Sequence, residues 1–259
     1  MKPLKPVVVK SADRVLDLLE LLARKPHGLT HTELADTLDI PKSSLTQLVG
    51  NLQARDYLTF TPGPNVYMLG PALMRLVRRG QIATDLPSLA QPITDRITKL
   101  TGESSSLNLL RDDQVQRVCG VNASHPLQFS MTIGELAPLY AVSSGKILLA
   151  LMPEAEREAY LARMKPRRIT PHTITSLTTL RRELSAAARN GVAYSFEEFT
   201  PGIVGIAVAV LDEERRPVGA LNVAMPSVRD SARHRRTIVT ALRDGARRLE
   251  QELRDAGLT

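Results

Sequence analysis

The sequence VSSGK at residues 142–146 carries the side chains best suited to covalent chemistry. Ser143 and Lys146 match the Ser-x-x-Lys spacing, in which the serine attacks an acyl carbon as a nucleophile. The S-D-N and K-T-G motifs that accompany this spacing in acyl enzymes are absent from the sequence. A second interpretation is a loop that enters a helix, where hydroxyls and free backbone N–H groups bind an anion. A plain N-cap of that helix is the third interpretation.

Metal, thiol and paired-carboxylate chemistry have less support in the sequence. The histidines, at positions 27, 31, 125, 172 and 234, have no metal-like spacing, so neither a metal nor a cofactor is expected. Cys119 lies in a strand-prone run, which favours a buried small hydrophobic side chain over a nucleophile. Glu197 and Glu198 are adjacent in a predicted strand and would face opposite sides, so they cannot both serve one acid–base site.

The sequence DIPKSSLTQLVGNL, residues 39–52, predicts a helix with an unusual outer face. One side is aliphatic and carries Leu45, Leu48, Val49 and Leu52. The other side is slim, polar and free of carboxylates, as a helix in the major groove of DNA requires, because an acid there would repel the phosphates. An ordinary solvent-facing helix is the alternative. The candidate DNA contacts on this helix are Lys42, Ser43, Ser44, Thr46, Gln47 and Asn51.

The neighbouring elements are those that would position such a helix against DNA. Thr30 and Glu33 have the spacing of a capping box at the start of the preceding helix. Two strand-prone runs flank the turn residues 61–65, which predicts a hairpin after it. Three helices and a hairpin are the order of a winged helix-turn-helix. Arg14 on the first helix and Tyr67 in the hairpin complete the candidate DNA contacts.

The composition agrees with a polyanionic partner such as double-stranded DNA. The chain of 259 residues has a net charge of +7, and its first 80 residues hold 11 Lys and Arg against 7 Asp and Glu. No apolar run reaches the roughly 18 residues of a membrane span, and the start does not resemble a secretory signal. A single cysteine excludes an internal disulfide and agrees with a reducing compartment, so a cytoplasmic protein is expected.

The remaining sequence predicts a second domain of mixed helices and strands. A connecting helix follows the hairpin and is expected to be interrupted at Pro87 and Pro92. Strands are predicted at residues 105–111, 114–121, 126–133, 192–198, 203–212 and 217–225, with three helices in the middle and a basic helix at the end. Strands that flank a helical middle favour an α+β fold around a mostly antiparallel sheet.

Several segments together resemble the IclR-type transcriptional regulators. They are residues 9–70, APLYAVSSGKILLALMPEAER, TITSLTTLRRELSAAARNGVAYSFEEFTPGIVGIAVAVLD and PVGALNVAMPS. The resemblance implies a winged helix-turn-helix at 7–71, a linker helix for dimerisation at 72–90, and a GAF-like α/β effector domain at 91–259. It also implies dimers or tetramers on palindromic operators, acting as repressors or activators.

The resemblance also implies where an effector binds. The matching positions are Ser143, Ser144, Ser195, Ile203, Gly205, Asn222 and Ala224. Phe129 and Met131 are candidate apolar walls, although core packing explains them equally well. The sequence departs from the family at Gln47, where Arg is usual, and at Gly205, where Cys is frequent. It also has Asp56 where a glycine usually precedes the hairpin, and Asp tolerates the left-handed backbone better than most residues.

The leading hypothesis is a DNA-binding regulator that responds to a small organic acid, with aromatic acids included. One alternative is an architectural DNA binder that needs no effector. The other is a serine acyl enzyme that uses Ser143 and Lys146.

Overall fold

The computed structural model describes residues 9–258, and the side chains of residues 78–85 lie outside this description. The chain divides into two compact units, residues 1–80 and residues 81–259. The predicted first domain begins at residue 7 and the predicted last domain ends at residue 259, and both of these ends lie outside the described residues. The boundaries at 7–71, 72–90 and 91–259 remain predictions.

The N-terminal unit is a winged helix-turn-helix, as predicted. Its elements are α1 (Lys10–Ala23), α2 (His31–Leu38), α3 (Lys42–Ala54), β1 (Leu58–Thr61) and β2 (Val66–Leu69). The two strands pair antiparallel to form the hairpin. Leu45 and Val49 of α3 are buried against Leu18 of α1 and Leu34 of α2, and each buried side chain of this size stabilises the fold by about 1.5–3 kcal/mol. This aliphatic side of α3 fixes which side faces outward.

Local backbone signals place α2 and α3 relative to each other. The capping box is present, because Thr30 Oγ1 accepts from the Glu33 N–H and the Glu33 carboxylate accepts from the Thr30 N–H. These bonds hold the pKa of Glu33 below its usual value. Asp39 ends α2 in the left-handed conformation with φ +49°, and Ile40 is buried in the turn that follows. The chain can therefore reverse within three residues and start α3 at Lys42.

The hairpin depends on two positions with tight backbone geometry. Asp56 adopts φ +60°, so the left-handed conformation expected at this position is present. Its carboxylate also pairs with Arg75 at 3.2 Å. Gly70 lies so close to the backbone of Asp56 that an added Cβ would be 2.1 Å from the Asp56 carbonyl oxygen. The end of the hairpin is thus packed directly on the turn that follows α3.

The connecting helix, α4 (Pro71–Thr101), continues through both internal prolines. The predicted interruption at Pro87 and Pro92 is wrong. Each proline removes one backbone hydrogen bond, but this stretch is held by burial of its apolar side chains in the core of the C-terminal unit. These side chains recur at helical spacing and are Leu86, Ala90, Ile93 and Ile97. None of the described helices is long and apolar enough to cross a membrane.

A six-stranded sheet forms the centre of the C-terminal unit. In chain order its strands are β3 (Ser104–Arg111), β4 (Gln114–Val121), β5 (Leu136–Pro138), β6 (Ala193–Phe196), β7 (Ile203–Leu211) and β8 (Pro217–Pro226). In space the order is β5-β4-β3-β8-β7-β6, and every neighbouring pair is antiparallel. The helices are α5 (Ser143–Leu151), α6 (Glu154–Arg163), α7 (Leu177–Asn190) and α8 (Ala232–Asp255). The predicted α+β class with an antiparallel sheet is confirmed.

The two faces of the sheet carry side chains of different size. Along β7, large residues such as Val204 and Ile206 join the core that contains α8 and the C-terminal part of α4. The alternate residues Ala207 and Ala209, together with Ala220 of β8, join the core with α5 and α7. Because strand residues alternate between faces, this pattern gives one bulky face and one slim face. The slim face leaves room for a cavity beneath α5.

Residues 126–133 do not form the predicted strand. Distant polar groups, and not a strand ladder, bind the backbone of this segment. Ser104 Oγ donates to the carbonyl of Phe129 at 2.8 Å, and Arg229 Nη1 donates to the carbonyl of Leu127 at 2.7 Å. Asn122 binds both the N–H and the carbonyl of Met131. These four backbone groups are therefore satisfied without a neighbouring strand.

Replacement of Gly70 by alanine is expected to destabilise the N-terminal unit by about 2 kcal/mol, since the new methyl group would overlap the backbone of Asp56. Urea denaturation of the purified protein measures this loss. Gly63→Ala is the matched control, because a Cβ at Gly63 meets no atom within 4 Å. Equal stability of the two variants would contradict the close packing of the hairpin.

Candidate functional site

The outer face of α3 is exposed to solvent. Among the candidate DNA contacts on this helix, Lys42, Ser43, Thr46, Gln47 and Asn51 are exposed and Ser44 is half-buried. No Asp or Glu occurs between residues 42 and 54. The face can thus approach a duplex without repulsion from a carboxylate of its own. Its contacts with DNA remain predictions.

Two of the candidate DNA contacts already have partners within the unit. The Thr46 hydroxyl donates to the carbonyl of Lys42 at 2.8 Å and lies 3.1 Å from Nε2 of His31. Because its only proton goes to the carbonyl, Thr46 accepts from His31 and can only accept from DNA. The ring of Tyr67 packs on Phe60, with 4.9 Å between the ring centroids, and meets His31 edge-on. Arg14 lies on α1 and is half-buried.

A cavity lies in the C-terminal unit between the start of α5 and the slim face of the sheet. The space between its walls is about 560 Å³, with solvent at the open mouth included. Eight of the nine candidate effector contacts line it together. They are Phe129, Ser143, Ser144, Ser195, Ile203, Gly205, Asn222 and Ala224.

A chain of polar side chains crosses the cavity floor. Asn222 faces inward, and its Nδ2 donates to Ser143 Oγ at 3.0 Å. Ser106 Oγ donates to Asn222 Oδ1 at 3.4 Å, and Asn108 Nδ2 donates to Ser106 Oγ at 3.1 Å. Strand pairing explains the arrangement, because Ser106 of β3 is directly opposite Asn222 of β8. Asn222 therefore orients the Ser143 hydroxyl, and its own amide is largely occupied.

Gly205 makes room for two hydroxyls at one wall. It pairs with Ser195 of β6 in the sheet. A Cβ at position 205 would lie 2.6 Å from Ser195 Oγ and 2.9 Å from Ser143 Oγ. The missing side chain thus leaves space for both hydroxyls at the cavity wall.

The first turn of α5 has free N–H groups and contains Ser143 and Ser144, which line the cavity. Val142 occupies the N-cap position, and no side chain caps this turn within the described part of the chain. The plain N-cap interpretation of the serines is therefore wrong, because Ser143 and Ser144 are themselves the first helical residues. An uncapped helix start that opens on a cavity favours a ligand with a negative or acceptor group.

Met131 does not line the cavity, in contrast to the prediction. The alternation that would place residues 129 and 131 on one side does not apply, because this segment is not a strand. Asn122 holds the Met131 backbone, and the Met131 side chain is buried elsewhere, at 8% exposure.

Sequence reasoning missed an ion pair at the cavity wall. Arg117 of β4 pairs with Glu135, which is joined to it by a cross-strand backbone bond from the Arg117 N–H to the Glu135 carbonyl at 3.0 Å. An arginine within the strand-prone run QVQRVCGV was the available signal. The other lining residues that were missed are Asn108, Val115, Ala137, Val142, Phe199 and Thr200.

Cys119 and the histidines offer no second reactive centre. Cys119 is 6% exposed in the core that contains α8, and burial raises its pKa to about 11. A thiol with so high a pKa is a poor nucleophile at neutral pH. Within the described residues, no group of three or more His, Cys, Asp or Glu side chains could hold a metal ion.

Comparison with known proteins identifies relatives of both units. Residues 11–62 match the IclR helix-turn-helix domain, and residues 82–251 match the domain described as bacterial transcriptional regulator IclR C-terminal. An HTH-type transcriptional regulator of Mycobacterium tuberculosis is 30% identical over 220 residues, which cover 83% of this chain and 82% of that protein. The HTH-type transcriptional regulator BhcR of Paracoccus denitrificans is 28% identical over 241 residues, which cover 93% and 86%.

Solved structures show the same similarity. An IclR homolog from Microbacterium hydrocarbonoxydans, solved in complex with 4-hydroxybenzoate, matches with a TM-score of 0.61 and 25% identity. The match covers 95% of this chain and 99% of that chain. These relatives are transcriptional regulators and not enzymes.

The contacts of Lys146 explain why Ser143 is not an acyl-enzyme nucleophile. Lys146 is 1% exposed, and its Nζ donates to Glu198 at 2.7 Å, to Glu183 at 2.6 Å and to the Tyr194 carbonyl at 3.2 Å. All three protons of the charged amine are thereby used, so no free base faces Ser143. Lys146 instead links α5 to Glu183 of α7 and to Glu198 in the turn after β6.

Glu197 and Glu198 are also structural. β6 ends at Phe196, so the two glutamates lie in a turn and not in the predicted strand. Glu197 has φ +56°, and its carboxylate accepts from the Gly202 N–H at 2.8 Å. Burial raises the pKa of Glu198, while the Lys146 charge opposes this rise. The pair therefore stabilises a turn and does not form an acid–base site.

Lys146→Met is expected to destabilise the protein by about 3–5 kcal/mol at pH 8, because it leaves Glu198 buried without a counter-charge. Without Lys146 the pKa of Glu198 rises further, so the folded state favours the protonated acid. The loss is therefore expected to be smaller at pH 5, where Glu198 can bind a proton, and to grow as the pH rises.

Urea denaturation at both pH values measures the difference between the variant and the natural sequence. The double variant Lys146→Met with Glu198→Gln is the control, and it should recover most of the stability at pH 8. An equal loss at pH 5 and pH 8 in both variants would show that Lys146 acts through packing alone.

Proposed function

The chain belongs to the IclR family of bacterial transcriptional regulators, with an N-terminal helix-turn-helix and a C-terminal effector domain. From this premise we propose that it binds a palindromic operator as a dimer or tetramer and changes its operator affinity when a small organic acid occupies the cavity. The cavity beneath α5 is the observation that carries this proposal. A regulator of this kind works in the cytoplasm, where its operator lies.

The cavity chemistry supports a small acid as the effector. Hydroxyls of Ser143, Ser144 and Ser195 and the free N–H groups of α5 offer donors to oxygen atoms. Val115, Phe129 and Phe199 supply apolar walls, and flat aromatic rings gain from such contacts. The 4-hydroxybenzoate of the Microbacterium homolog is an acid of this type. Aromatic acids are therefore the first class to test.

The exposed side of α3 supports direct reading of DNA bases. Gln47 stands at the centre of this side, and a glutamine can bind adenine through two hydrogen bonds. Lys42, Ser43 and Ser44 lie at the start of α3, where the helix end attracts phosphate. Effector and operator are then coupled reciprocally, by about 1–3 kcal/mol in regulators of this kind.

Gln47→Ala is expected to relax the base preference at particular operator positions, while Arg14→Ala weakens binding to all sequences alike and lowers the salt slope by about one unit. Operators selected from random duplexes, followed by binding measurements at several salt concentrations, test both. Gln251→Ala makes the same chemical change in the C-terminal unit and should alter neither quantity. A uniform loss for both Gln47→Ala and Arg14→Ala would refute the assignment of the base-reading side.

Ser143→Leu is expected to abolish effector response while leaving operator binding intact, because the larger side chain fills the cavity between Asn222 and Gly205. The measurement is the thermal shift produced by a panel of aromatic and aliphatic acids, together with operator affinity in their presence. The exposed Ser185 of α7 provides the matched control Ser185→Leu. Operator affinity that no acid changes would favour an effector-independent DNA binder.

A further inference from the structure

Arg117 is the only positively charged residue that lines the cavity among the described side chains. Its side chain is 12% exposed. Nη1 donates to the Thr132 carbonyl at 3.1 Å and to the Glu135 carboxylate. The guanidinium also lies near the ring of Phe129, 5.9 Å from the centroid. One end of the guanidinium is thus held firmly by the protein.

The other edge of the guanidinium has no partner in the part of the chain that the structure describes. Nε is buried without an acceptor among the described residues, and Nη2 makes no hydrogen bond to them either. Nε–H and Nη2–H of an arginine point the same way and match the two oxygens of a carboxylate. Two other arginines of this chain bind carboxylates through the same two nitrogens. Arg163 binds Asp113 in this way, and Arg229 binds Glu103. The Nε–Nη2 edge of Arg117, a residue of the cavity wall, therefore has no carboxylate on it among the described residues.

An unpartnered buried donor is unfavourable, because the group has lost water and gained no acceptor. A ligand that supplies two oxygens in one plane removes this cost. The surrounding bonds to Thr132 and Glu135 keep the edge oriented before the ligand arrives, which lowers the entropy cost of binding.

We propose that Arg117 is the residue that selects acids over their neutral analogues, by binding the effector carboxylate through Nε and Nη2. This inference rests on the proposed effector function and names the group that recognises the acid. The hydroxyls of Ser143, Ser144 and Ser195 then contact the remaining polar atoms of the effector. Glu135 limits the affinity, because its charge lies close to the bound carboxylate.

The test compares 4-hydroxybenzoate with neutral 4-hydroxybenzamide by titration calorimetry on the full chain. Arg117→Gln is expected to weaken binding of the acid about tenfold or more and to change binding of the amide little. Glu135→Gln is expected to tighten acid binding severalfold, since it removes a nearby negative charge and keeps the hydrogen-bond geometry. Arg111→Gln is the matched control, because Arg111 is exposed on β3 and does not line the cavity.

A spectroscopic readout separates direct contact from a change in folding. In protein labelled with ¹⁵N-arginine, the acid should shift the Nε–H signal of Arg117, while the signal of the exposed Arg181 stays in place. Weaker acid binding by Arg117→Gln together with tighter acid binding by Glu135→Gln supports the proposal. If the acid changes operator affinity but binds Arg117→Gln as tightly as the natural chain, the inference is overturned and the effector function stands. If no acid binds the natural chain, both are overturned.

Discussion

The fold of the C-terminal unit depends on the alternation of side-chain size along its central strands. On β7, Val204, Ile206, Val208 and Val210 face α8, and the small residues Gly205, Ala207 and Ala209 face α5. Neighbouring residues of a strand face opposite sides of the sheet. The alternation of large and small side chains therefore gives a dense core on the α8 side and leaves the cavity on the α5 side. A close-packed interior tolerates few voids, and the cavity lies where α5 packs over the small side chains of the sheet.

The position of α5 is itself fixed by buried polar contacts. At its start, Ser143 bonds to Asn222 on the sheet, and one turn later Lys146 binds Glu183 and Glu198. Buried polar groups of this kind are costly unless all partners are in place, so they favour a single arrangement. Helix α5 therefore covers the cavity, and the uncapped first turn of the helix lies at the cavity wall. A ligand there would contact an element that is already rigid.

The fold of the N-terminal unit depends mainly on local interactions. Its three helices bury an aliphatic stripe, and the charge-poor side of α3 faces solvent as a result. Both properties follow from helical periodicity, which can be read along the chain. The capping box at Thr30 and the left-handed Asp56 are equally local, because they involve residues only a few positions apart. For these reasons the sequence predicted this unit almost completely.

The sequence by itself determined most of the helices and strands and the faces that they bury, because periodicity and caps act over short stretches, and the family resemblance indicated most of the cavity residues. Only the tertiary structure revealed the Arg117–Glu135 pair, the enclosed Lys146 and the irregular path of residues 126–133. Each of these depends on partners far apart in the chain, such as Ser104 with Phe129 or Lys146 with Glu198. A one-dimensional pattern shows that a residue is polar and buried, but strand register decides which distant atom satisfies it.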